Sequence, residues 1–223
     1  SYVIEATEVT GSSGGYLADN YVVTFLPGSY GVTPRPLGIS ISGLPTKVYD
    51  GSTMAMLGVD DYTFTNLANG DTFVVIATDG QYNSKNVLEA NTVTVDLNGT
   101  SVAAFGGSLL SNYSLPASAT GAALITPAPV SVALADQTKV YDGTTLATVA
   151  GADFAVNGLI NGETVTVRTS DGLFNEANVL GANTLTVSLT GADFEPNAGT
   201  LLSNYELQTS ATASASITPR PVT

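Results

Sequence analysis

The sequence predicts an all-β protein, tandem Ig-like β-sandwich modules in an extended array. Three observations carry this: apolar residues alternate with polar ones, turn-forming pairs punctuate the runs, and the whole pattern recurs after 92 residues. The alternation is clear at Val130, Val132 and Leu134, at Val165 and Val167 among Thr164, Thr166 and Arg168, and at Leu185, Val187 and Leu189 among Thr184, Thr186 and Ser188. A period of two puts one side of each run in a core and the other in solvent. Between the runs stand Asp50-Gly51, Asn69-Gly70, Asp79-Gly80, Asn98-Gly99, Asn157-Gly158 and Asn161-Gly162, pairs suited to the positive φ of tight hairpin turns. Three-four helical periodicity is nearly absent, and strand order cannot be read from the pattern.

The repeat sets the organisation. KVYDGST at Lys47 to Thr53 matches KVYDGTT at Lys139 to Thr145, and Asn69, Gly70 and Asp71 match Asn161, Gly162 and Glu163. Asn86, Val87 and Leu88 map to Asn178, Val179 and Leu180, and LLSNY at Leu109 to Tyr113 recurs at Leu201 to Tyr205. One step back, Asn20 and Tyr21 match Asn112 and Tyr113, so residues 1–34 read as the C-terminal part of a preceding unit, followed by full modules at 35–127 and 128–223. The period is too long for a solenoid repeat and suits an independently folded sandwich. A Thr-Pro-X-Pro element stands at each boundary: Thr33 to Pro36, Thr126 to Pro129 and Thr218 to Pro221. Proline fixes φ and biases its predecessor toward extended backbone, so the modules should join stiffly, each adding on the order of 30 to 40 Å.

Composition excludes most chemistry. The 223 residues include no His, Cys or Trp, which removes the usual general base, the thiol nucleophile, thiolate and imidazole metal sites and all disulfides. Charged residues are only 11% against 43% hydrophobic, so real cores can form and disorder is not expected. A net charge of −13 repels phosphate backbones and anionic lipid, which argues against nucleic acid. No apolar run is long enough to span a membrane, so no membrane insertion is expected. The first residues carry no basic region followed by an apolar core, and the chain reads as an internal fragment.

Each candidate site has a scaffold reading beside the functional one. In KVYDG, the lysine, tyrosine and aspartate could touch a ligand. The scaffold reading has Gly51 and Gly143 in left-handed turns, Asp50 and Asp142 accepting from backbone N–H groups, and Tyr49 and Tyr141 burying their rings. Asn112, Tyr113, Asn204 and Tyr205 read likewise, with the tyrosine packed near a sheet corner. Calcium would draw on carboxylates: Asp61, Asp136, Asp142 and Asp153 foremost, with Asp60, Asp71, Glu163 and Asp193 beside them, although no D-x-D-x-D-G loop is present. No other cofactor is expected. Lys47 and Lys139 raise an isopeptide crosslink to Asn, but an exposed lysine beside the turn fits better. Sugars could stack on Tyr16, Tyr30, Tyr62 or Tyr82, yet Tyr62 and Tyr82 map to Phe154 and Phe174, a pattern of core packing. Two carboxylates could hydrolyse a glycoside, but nothing gathers them on one cleft, and the chain reads as a non-enzyme.

The motifs KVYDGTT at Lys139 to Thr145, NY at Asn204-Tyr205 and SITP at Ser216 to Pro219 resemble the YDG/MBG-type repeats of large bacterial surface adhesins. The resemblance covers nearly the whole chain. It extends to filamentous-haemagglutinin-like proteins exported by two-partner secretion, where all-β modules form a stalk. It implies an extracellular or cell-surface location, neighbouring repeats as partners, a role in adhesion or biofilm matrix, and a polysaccharide or host-surface ligand reached through the full-length protein. It assigns no ligand residues. The expectation is a structural spacer, with a glycan- or calcium-binding adhesive module as the alternative.

Overall fold

The computed structural model describes residues 2–4, 22, 24–68, 70–160, 162–168 and 170–223. Asn69, Asn161, Tyr16, and the Asn20-Tyr21 match lie outside the described residues. The described part is all-β, with short 3-10 turns such as Leu110–Asn112 and Leu202–Asn204. Among the described residues no helix is long and apolar enough to cross a membrane.

Each module packs two β layers. In the second module one layer runs Gln137–Val140, Ser210–Thr218, Thr184–Ser188, Ser170–Phe174, Leu146–Val149. The first strand is parallel to the closing strand, and the other pairs are antiparallel. The alternation dictates this layer: Leu185 and Val187 are fully buried while Thr184, Thr186 and Ser188 face out. The opposite layer pairs Ser131–Leu134 with Phe154–Asn157 and Val165–Val167 with Phe194–Pro196. The first module repeats the arrangement through Thr92–Asp96, which lies between Ser118–Ala122 and Asp79–Tyr82, with Met54–Met56 at the far edge. Its closing strand is split into Ser118–Ala122 and Leu124–Thr126, the latter parallel to Thr46–Val48. Before them, Tyr2–Ile4 pairs antiparallel with Gly28–Tyr30.

One of the expected turns is strand. Asp79-Gly80 lies inside Asp79–Tyr82, and its repeat Asp171-Gly172 lies inside Ser170–Phe174. These glycines are needed for close packing, since a Cβ on Gly172 would stand 2.8 Å from Leu185 Cδ2, and one on Gly80 3.1 Å from Leu57 Cδ1.

The linker is itself strand. Leu124–Thr126 belongs to the first module's sheet, Ala128–Pro129 pairs in parallel with Tyr205–Glu206 of the second, and only Pro127 stands between them. The apolar cores follow the same path. The first module's core takes in Ala128, Val130 and Tyr205 from the second, with Leu159, Ile160 and Leu207 packed against it. Leu159 and Leu207 also border the second module's own core.

Candidate functional site

The repeated KVYDG turn is built the same way twice. Gly51 and Gly143 have φ of 76° and 81°, left-handed backbone that favours glycine. Asp50 Oδ1 accepts the Ser52 N–H at 2.9 Å, and Asp142 Oδ1 accepts the Thr144 N–H at 2.9 Å. Lys47 Nζ donates to Asp50 Oδ1 at 2.7 Å and to the Ser52 carbonyl, and Lys139 Nζ donates to Asp142 Oδ1 at 2.8 Å and to the Thr144 carbonyl. Each ammonium also lies over a ring, 5.4 Å from the centroid of Tyr82 and 5.5 Å from that of Phe174. The lysine side chains are therefore only 18% and 16% exposed, more covered than the sequence suggests, and carboxylates stand where an isopeptide would need Asn. The Asp142 carboxyl is pulled down to about 2 by the hydrogen bond from Lys139 and those from Thr144. For Asp50, burial works upward but is outweighed by the bonds from Lys47 and Ser52, and its pKa is lowered.

The tyrosines of the two turns part company. Tyr49 is 2% exposed, whereas Tyr141 is 38% exposed, contrary to the expectation that both rings bury. The reason is that Tyr49 is covered by the second module. Its ring meets Tyr205 edge to face at 5.5 Å and 81°, and its hydroxyl donates to Glu163 Oε1 at 2.6 Å. The other oxygen, Glu163 Oε2, accepts from Tyr205 at 2.8 Å. One carboxylate thus bridges tyrosines of consecutive modules. Burial first, then the Glu163 contact, pushes the Tyr49 hydroxyl up to about 12. Burial is also the first cause of the raised pKa of Tyr205.

Asn204 closes the joint. It is 1% exposed; its Oδ1 accepts the Val87 N–H at 2.9 Å and its Nδ2 donates to Asn86 Oδ1 at 3.2 Å. Every buried side-chain polar atom described has a partner, as the cost of burying an unpaired one requires.

The corresponding end of the first module has the same internal construction. Tyr113 donates to Asp71 Oδ2 at 2.5 Å and accepts the Ala68 N–H, as Tyr205 accepts the Ile160 N–H. Tyr113 is buried against Phe73 at 5.2 Å, and its hydroxyl pKa is raised first by the Asp71 bond, then by burial. Asn112 is exposed, unlike Asn204.

A match to the YDG domain covers residues 33–121 and again 126–213. The chain belongs to the YDG domain family. No curated protein and no solved structure matches it. The Tyr-Asp-Gly of this YDG chain is thus part of a lysine-clasped turn that, in the first module, presents its tyrosine to the next module.

The other candidates lie apart from this joint. Asp61 accepts the Gly58 N–H, Asp142 is held by Lys139, and Asp136 is exposed. Neither these nor Asp153 gather: among the described residues no three His, Cys, Asp or Glu come together as metal ligands would. Tyr62 and Tyr82 are core residues whose hydroxyls donate to the carbonyls of Ala77 and Pro45, while Tyr30 is exposed. A groove of 610 Å³ borders Lys47, Met54, Met56 and Tyr82, but the Lys47 ammonium and the Tyr82 hydroxyl are both engaged within the protein. Sequence reasoning did not single out Asn86, Val87 or Glu163 as joint residues. The signal was there, in loop residues kept at the 92-residue lag that the alternation of core positions does not require.

Proposed function

We propose that this chain is a spacer segment: YDG modules in series that hold an adhesive region away from a bacterial surface, within a secreted or surface-attached adhesin of the filamentous-haemagglutinin-like, two-partner-secreted kind. Its work is mechanical, and no catalytic step is assigned to it. The observation that supports the reading is the joint. A flexible tether would leave each module with a separate core, whereas here one apolar cluster crosses the boundary and Glu163 ties Tyr49 to Tyr205. A single proline between paired strands adds to the stiffness. The polymer's partners on this reading are neighbouring repeats, with adhesion or biofilm attachment supplied by other parts of the full-length protein.

Small-angle scattering of the chain in calcium and in chelator tests the proposal. The spacer reading expects an elongated particle, on the order of 70 Å or longer from two modules end to end, unchanged by chelator. A compact particle overturns it. Lengthening only in calcium would favour metal-stiffened acids instead.

A further inference from the structure

The joint uses two different surfaces. One module offers an exit face of Tyr49, Asn86 and Val87; the next offers an entry face of Glu163, Asn204 and Tyr205. Such a contact is heterologous, so each module that uses one face in the joint keeps the other for a further neighbour. The second module carries its own exit face in Tyr141, Asn178 and Val179.

That face is already shaped. The Lys139–Asp142 clasp repeats each bond of the Lys47–Asp50 clasp and adds one from Lys139 Nζ to the Leu146 carbonyl at 2.8 Å. The loop after Asn178 also repeats its counterpart: the Asn178 carbonyl accepts from Gly181 and Ala182 N–H at 3.1 and 3.0 Å, as the Asn86 carbonyl accepts from Glu89 and Ala90 at 3.1 and 2.9 Å. What differs is cover. Tyr141 is 38% exposed against 2% for Tyr49, and the Val179 N–H has no acceptor among the described residues, whereas Val87 has Asn204. Pro219 to Val222 repeat the spacing of Pro127 to Val130. Arg220 stands in place of Ala128; Arg35, at the same position of the first boundary, keeps the parallel pairing with Tyr113, so arginine is compatible with an entry strand.

We propose that the Tyr141, Asn178 and Val179 face is a docking face for the entry end of a further YDG module, which sets an acidic side chain on the Tyr141 hydroxyl and an asparagine Oδ1 on the Val179 N–H. The proposal rests on the joint reading above, and continuity with the resolved joint identifies its occupant. The test extends the full chain after Thr223 with a second copy of residues 132–218, which continues the repeat in register, and follows amide hydrogen exchange by NMR. In the 223-residue chain Val87 exchanges slowly and Val179 quickly. In the extended chain Val179 slows by about tenfold or more, and Asn→Ala at the Asn204 position of the added copy restores fast exchange. An extension with residues 40–126, whose entry end carries Asp71, Asn112 and Tyr113, is the second variant. Fast Val179 exchange beside a folded extension overturns the docking face, as does failure of both extensions to fold. Fast Val87 exchange in the unextended chain would instead overturn the joint itself.

Discussion

Tyr49 and Tyr141 occupy the same place in two copies of one turn, and only the first is buried. The lysine–aspartate clasp forms beneath both, so the turn does not need a neighbour in order to form. The neighbour decides whether the tyrosine is structural. A repeated motif can thus be scaffold in its own module, through the lysine, aspartate and glycine, and adhesive toward the next one through the residue between them. The entry ends teach the same lesson: Asn204 is enclosed and Asn112 is exposed, with identical LLSNY sequence around both.

This difference can be broken by mutation. Tyr49→Ala should lower stability to denaturant by about 3 to 5 kcal/mol, the range for emptying a large aromatic site, while Tyr141→Ala stays within about 0.5 to 1 kcal/mol. Equal losses would remove the distinction. Glu163→Ala leaves two buried hydroxyls without their acceptor and should cost about 2 to 3 kcal/mol, with Glu163→Gln recovering part of it in the same titration. Asn204→Ala should cost about 1 to 2 kcal/mol by stranding the Val87 N–H, whereas Asn112→Ala is within about 0.5 kcal/mol, both read as shifts in denaturation midpoint.

Two pH dependences sharpen the comparison. The Tyr49 pKa is raised from 10.0 to about 12, so the folded joint prefers the protonated phenol. Its contribution is complete below pH 10 and is lost as pH rises toward 12, and Tyr49→Phe should flatten that alkaline limb of melting temperature against pH. The Asp142 carboxyl moves the other way, from 3.8 to about 2. Its stabilisation is present above pH 3.8 and is lost as pH falls through 2, so Asp142→Asn should lower the melting temperature slightly at pH 7 and leave it unchanged near pH 2.

The fold was legible because strands follow a period of two, and Leu185 with Val187 or Val93 with Val95 show it directly. The lag of 92 residues exposed the repeat without any structure. The joint was not legible for a physical reason: burial between modules leaves no periodicity. Tyr49 sits in a loop among polar residues, and its pairing with Glu163 spans 114 positions. Asp79-Gly80 misled for a related reason, since a glycine demanded by a neighbouring valine and leucine has the same letters as a glycine demanded by a turn. Linker stiffness was credited to proline alone, whereas strand pairing on both sides of Pro127 and the shared core contribute to it as well.

On this geometry the two modules move as one body through the Tyr49–Glu163–Tyr205 bridge. Residual dipolar couplings measured on the 223-residue chain in a dilute aligning medium test it most directly. Both modules are expected to fit one alignment tensor with the same magnitude and orientation, and Glu163→Ala or Tyr49→Ala is expected to split it. Two tensors of different magnitude in the unmutated chain would contradict it.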